Sequence, residues 1–128
     1  MRLLIIVISI IYSQASLACY SPRGGEEYDN LIKLEKISGN TYRATVPRQL
    51  EDLKDAEIML AYSEHGTKGI PVYEPYETLK SSYTKKSASA EFKIDKNKPG
   101  KPYIVVMWWP KECCPCGIQA NTKYIDIE

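Results

Sequence analysis

The sequence predicts an all-β domain: a two-sheet antiparallel sandwich of six or seven strands, stapled by disulfides. Three observations lead there. Apolar residues recur with period two along most of the chain after Asp29, the signature of strands with one buried face. Gly, Pro and Asn interrupt that pattern at short intervals, as turns between strands require. Four cysteines, Cys19, Cys113, Cys114 and Cys116, stand in a chain whose first 18 residues have the parts of an export signal.

The elements follow in order. Leu31 to Ile37 reads as an imperfect strand, closed by Ser38-Gly39-Asn40, where Gly and Asn tolerate positive φ. Thr41 to Val46 places Tyr42, Ala44 and Val46 on one face and ends at Pro47, so the two segments predict a hairpin. Arg48 to Asp55 has the composition of a single short helical turn. Glu57 to Tyr62 turns Ile58, Leu60 and Tyr62 inward. Residues 64–86 are the long irregular stretch, with room for a short strand near Ile70–Tyr73. Ser87 to Ile94 alternates most cleanly, with Ala88, Ala90, Phe92 and Ile94 facing in. Tyr103 to Trp109 is continuously apolar, as a central strand covered on both faces would be. Thr122 to Ile127 is expected to be the last strand.

Residues 1–18 divide as a secretory signal does. Arg2 is the basic n-region, Leu3 to Ile11 the apolar core, and Tyr12 to Ala18 a polar segment ending in small residues. That core is about nine residues, against the roughly 20 a spanning helix needs. The expected mature chain is a single domain, 19–128, periplasmic or extracellular, with no transmembrane span. Cys19 as the first mature residue also admits a bacterial lipoprotein acylated there. The lipobox resemblance departs at Ser16, where Leu is usual, and at Leu17, where a small residue is usual. Removing the signal takes away one of 17 basic residues and none of the 16 acidic ones, so the mature charge balances. Lys80, Lys85, Lys86, Lys93, Lys96, Lys98 and Lys101 cluster only loosely and read as solvated surface. Nucleic acid is therefore not an expected partner.

Asn97-Lys98-Pro99-Gly100-Lys101-Pro102-Tyr103-Ile104-Val105-Val106 resembles a pattern of immunoglobulin-like domains, fibronectin type III among them. In those domains a Pro/Gly-rich corner precedes a Tyr that opens a strand. The resemblance implies that Tyr103 is a corner tyrosine, its ring in the core and its hydroxyl bonded to nearby backbone. It covers about ten residues and the strand count. Antibody-type domains carry one cysteine on each of two facing strands with a Trp between, and this chain does not. The family implies an architecture and no ligand.

Four cysteines allow three pairings. Cys19–Cys116 leaves a vicinal Cys113–Cys114 pair, and Cys19–Cys113 leaves Cys114–Cys116 around Pro115; both are tight. Cys19–Cys114 leaves Cys113–Cys116, which closes more readily and is preferred on strain. That link closes a loop of about 95 residues, worth roughly 4 kcal/mol in the chain-entropy model. Two other chemistries use the same residues. Cys113-Cys114-Pro115-Cys116 fits the Cys-x-Pro-Cys motif of thioredoxin-like proteins, which would make Cys113 the attacking thiolate and Cys116 the resolving thiol. Only 12 residues follow Cys116, too few for the helix and strands that complete that fold. Cys113, Cys114 and Cys116 also form a thiolate set for copper(I) or zinc, with His65 the one available histidine, but an oxidising compartment disfavours reduced thiolates.

Around the single histidine no Ser-His-Asp constellation can be argued, and no Gly-rich phosphate loop is present. Glu26-Glu27 and Glu51-Asp52 look like surface charge. Tyr73, Tyr76 and Tyr83 are the candidate binding surface, since tyrosine offers contact area at low entropic cost. The expectation is a non-enzymatic binding or structural role toward a protein or glycan at a cell envelope, without a cofactor. Contacts would come from the 64–86 and 110–121 stretches. Thiol redox or metal handling at the cysteine cluster is the alternative.

Overall fold

The computed structural model describes residues 22–63, 76–112 and 116–126. Strand dominates, in two antiparallel sheets of four. A short helix α1 (Glu26–Asp29) comes first, followed by β1 (Lys33–Ser38), β2 (Thr41–Pro47), β3 (Glu57–Ser63), β4 (Tyr76–Thr78), β5 (Ser82–Tyr83), β6 (Ser87–Lys93), β7 (Lys101–Trp108) and β8 (Ile118–Asn121). One sheet has the order β1-β2-β6-β5, the other β4-β3-β7-β8. The described residues thus form eight strands rather than six or seven, because the irregular 64–86 stretch contributes two short ones, β4 and β5.

The core lies between the sheets, and the period-two reading identifies it. Ala44 and Val46 of β2, Ala88, Ala90 and Phe92 of β6, and Ile94 just beyond meet Ile58, Leu60, Ile104, Val106, Trp108, Ile118 and Ala120 from the facing sheet. Tyr42 and Tyr62 pack against this core, and Tyr42 stacks on Phe92 at 5.8 Å between centroids. Trp108 is fully buried, and its indole N–H donates to the Pro47 carbonyl at 3.0 Å, tying one sheet to the other. The opposite face of β3 and β7 is apolar as well. Met59, Ala61, Tyr103, Val105 and Met107 are buried there, with Trp109 and Tyr124 packed against them. Two buried faces explain why the Tyr103–Trp108 run is apolar without alternation. Tyr103 belongs to this second cluster, with its ring edge-on to Tyr124 at 5.9 Å.

The hairpin forms where expected, with Gly39 at φ 51° between β1 and β2 and an irregularity between Lys36 and Ser38. Two local readings need correction. Arg48 to Asp55 makes no helical turn; Leu53 N–H donates to Leu50 O at 3.1 Å across a tight turn, with Glu51 at positive φ and Leu53 buried. The last strand is β8, Ile118–Asn121. Residues 122–126 continue irregularly beside β7, through Thr122 N–H to Ile104 O at 2.9 Å and Ile125 N–H to Pro102 O at 2.8 Å. Residues 22–30, where the sequence suggested no element, pack on β8: Arg23 forms a parallel bridge with Ile118, and Asp29 accepts from Asn121 N–H at 2.9 Å.

Candidate functional site

Three connections converge at one end of the sandwich: 48–56 between β2 and β3, 84–86 between β5 and β6, and the segment after β7. Each is short or tightly bonded, so the side chains they carry are held. Thr84 ties the β5–β6 turn by accepting from Ser87 N–H at 3.0 Å, which fixes Tyr83 just before it. The Tyr83 hydroxyl donates to Ala56 O at 3.1 Å, and the Arg48 guanidinium lies over its ring at 5.2 Å. Arg48 also bonds Thr84 O at 3.1 Å and Asp55 at 3.0 Å. The Arg48 hydrogen bond, with its charge, holds the Asp55 carboxyl below the usual carboxylate range against a smaller opposing effect of desolvation.

Across from Tyr83 stands Trp109. Its indole N–H donates to Glu57, which also accepts from the Thr78 hydroxyl at 3.3 Å. The Trp109 carbonyl accepts from Lys54 N–H at 2.8 Å. Between the two rings runs an open groove of about 640 Å³, rimmed by Gln49, Lys54, Asp55 and Lys111. Both rings have their polar atom tied inward, and Tyr83 remains 47% exposed, so what the groove presents is apolar ring surface with a polar rim. Two lysines face two carboxylates, which leaves the lining without net charge.

The tyrosines expected to act together are separated. Tyr83 is on β5 and lines this groove. Tyr76 is exposed on β4, in the other sheet, paired opposite Ala61 toward the far end. Tyr73 and the expected strand at Ile70–Tyr73 lie outside the described residues, as does His65. Trp109 and Lys54 were not singled out from the sequence. Trp109 was hidden inside the apolar run, and nothing local marks Lys54. The seven lysines at 80, 85, 86, 93, 96, 98 and 101 are all exposed, as are Glu26, Glu27, Glu51 and Asp52.

Of the cysteines, Cys19, Cys113 and Cys114 lie outside the described residues, while Cys116 is half-buried. The chain leaves Cys116 through Gly117 directly into strand β8. A thioredoxin-like motif opens a helix whose dipole lowers the first thiol's pKa, and here a strand takes that place. Among the described residues no group of three His, Cys, Asp or Glu side chains is placed to hold a metal ion. No described helix is long and apolar enough to cross a membrane. Comparison with protein-family models, curated proteins and solved structures finds no match for this chain.

Proposed function

We propose that this chain is exported, loses residues 1–18, and serves as a disulfide-stapled, immunoglobulin-like binding module without catalytic activity. Strand order supports the architecture. The orders β1-β2-β6-β5 and β4-β3-β7-β8 correspond to the A-B-E-D and C′-C-F-G sheets of immunoglobulin-like domains. Tyr103 lies near the start of the strand matching F, but its ring packs with Met59 and Tyr124 on the face away from the inter-sheet core, so it departs from the corner tyrosine that the resemblance implied.

The parallel bridge of Arg23 with Ile118 supports the staple. Arg23 N–H donates to Gly117 O at 2.9 Å, and Gln119 N–H to Arg23 O at 2.8 Å. The bridge brings the chain four residues after Cys19 beside the chain two residues after Cys116. Four residues reach at most about 14 Å, so the bridge is compatible with a link from Cys19 to the cysteine cluster. The preferred pairing remains Cys19–Cys114 with Cys113–Cys116, on strain.

The ligand reading rests on the groove. Its carrying observation is an exposed Tyr83 ring fixed opposite Trp109, each with its heteroatom already bonded inside the protein. A saccharide ring suits such a place, because its C–H faces meet aromatic surface while its hydroxyls meet the polar rim. An uncharged lining favours a neutral glycan over a polyanion. Titration of the mature protein with neutral hexasaccharides of glucose and of N-acetylglucosamine, followed by amide and indole NMR shifts, tests this. The expected result is movement of the Trp109 indole and Lys54 signals with at least one of them, weakened roughly tenfold or more in Tyr83→Ala. Absence of any shift at these groups with either sugar would overturn it.

A further inference from the structure

Of the four sheet edges, three are guarded. Among the described residues β4 spans three and β5 two, too short to template another strand. The edge of β8 is occupied by Arg23, which bonds Gly117 and Gln119, and by Asp29, which bonds Asn121 N–H. Strand β1 is different. It has six residues, all exposed, and among the described residues β2 pairs with it on one side only. It also carries two of the large apolar side chains that remain exposed, Leu34 at 38% and Ile37 at 41%.

We infer that β1 is a self-association edge, pairing antiparallel with β1 of a second copy about a twofold axis at Leu34. The side-chain pattern selects this register. In a symmetric antiparallel pair, directly opposed residues share a face, so the axis must pass at a residue. An axis at Lys33 or Lys36 opposes two lysines, and one at Glu35 opposes two glutamates. Within the regularly paired stretch Lys33–Lys36, only an axis at Leu34 removes the like-charge pair; the irregularity between Lys36 and Ser38 breaks the pairing beyond it. It sets Leu34 against its own copy on the core-facing side, shared with Ala44. On the outer side it sets Lys33 against Glu35 twice. Glu35 already lies 3.6 Å from Arg43, so the outer face would carry alternating charge across the joint. Aligned apolar and opposite-charge pairs are what stabilise adjacent strands.

The dimer joins the two β1-β2-β6-β5 sheets into one of eight strands. Lys36, on the core-facing side opposite Tyr42, and the irregularity beside it limit the contact to residues 32–36. So short a contact makes a weak dimer, with a dissociation constant on the order of 0.1 mM. The groove at Tyr83 lies at the opposite edge of this sheet, so two grooves would be displayed at the two ends of the joined sheet.

Sedimentation velocity of the mature protein across a concentration series tests the inference. Expected is a monomer–dimer equilibrium that Lys33→Glu weakens roughly tenfold, by setting glutamate against Glu35, and that the double exchange Lys33→Glu with Glu35→Lys restores. Both side chains are exposed, and unchanged thermal melts of the variants confirm intact folds. A monomer up to about 1 mM, a dimer indifferent to Lys33→Glu, or a double exchange that fails to restore association would each overturn the pairing.

Discussion

Gly117 sits where a side chain has no room. A Cβ at that position would lie 2.5 Å from the Trp108 carbonyl oxygen, which is backbone and held in β7. Gly117 also accepts from Arg23 N–H, so one residue fixes both the entry to β8 and the N-terminal segment beside it. Gly117→Ala is expected to destabilise the fold by about 1–3 kcal/mol and to lower the melting temperature by several degrees in a thermal scan. An unchanged melt would mean that this approach is not what holds β8 in place. Trp108 shows what a sequence can and cannot disclose at this scale. Its apolar neighbours mark it as core, and it is fully buried. Its bond to Pro47 O spans 61 positions, and no local pattern encodes a partner that distant. Trp109 beside it was legible as an aromatic and illegible as a groove wall, because that role depends on Glu57 of β3 and Lys54 of the connection before it.

At the scale of elements, the 48–56 connection carries the groove. Its spacing of Leu50 and Leu53 is that of a helical turn, yet only one turn's worth of chain is present, too little to nucleate a helix. Burial of Leu53 and the bonds of Lys54 to Trp109 and of Ala56 to Arg48 decide its shape instead. Arg48 braces it through Asp55. The carboxyl of Asp55 is held below its unfolded value of about 3.9, so this contribution is present above about pH 4 and is lost as pH falls through the lower folded value. Wild type and Asp55→Asn should therefore differ in urea midpoint by a constant small amount from pH 5 to 8, and the gap should close toward pH 2. A gap that persists in acid would contradict the pair's role.

The strands were legible in proportion to their alternation and burial. β2, β6 and β7 follow the expected patterns closely. β8 was displaced toward Thr122–Ile127, which alternates better in sequence, because Ile118-Gln119-Ala120-Asn121 becomes a strand only through its pairing with β7. The short strands β4 and β5 and the helix α1 have too few residues to carry a period at all.

For the whole molecule, the cysteines join the export reading to the fold. The sequence suggested that the N-terminus meets the 113–116 region. Among the described residues, 22–30 pack along β8, by a backbone pairing that carries no side-chain pattern and was therefore invisible beforehand. The two-sheet plan was legible because a sandwich repeats its buried face on every strand. The groove was legible only in part, because Tyr83 and Trp109 come from segments with no local relation.

If the module is exported and stapled, its thiols are spent on structure and its surface is left for binding. Mass spectrometry of the natively exported protein tests this most directly. It would combine alkylation before reduction with electron-transfer fragmentation of the non-reduced peptide spanning 113–116. The account predicts a chain beginning at an unmodified Cys19, no alkylated thiol, and Cys19 linked to Cys114. A rapidly alkylated Cys113, bound metal, or an acyl mass on Cys19 would contradict it.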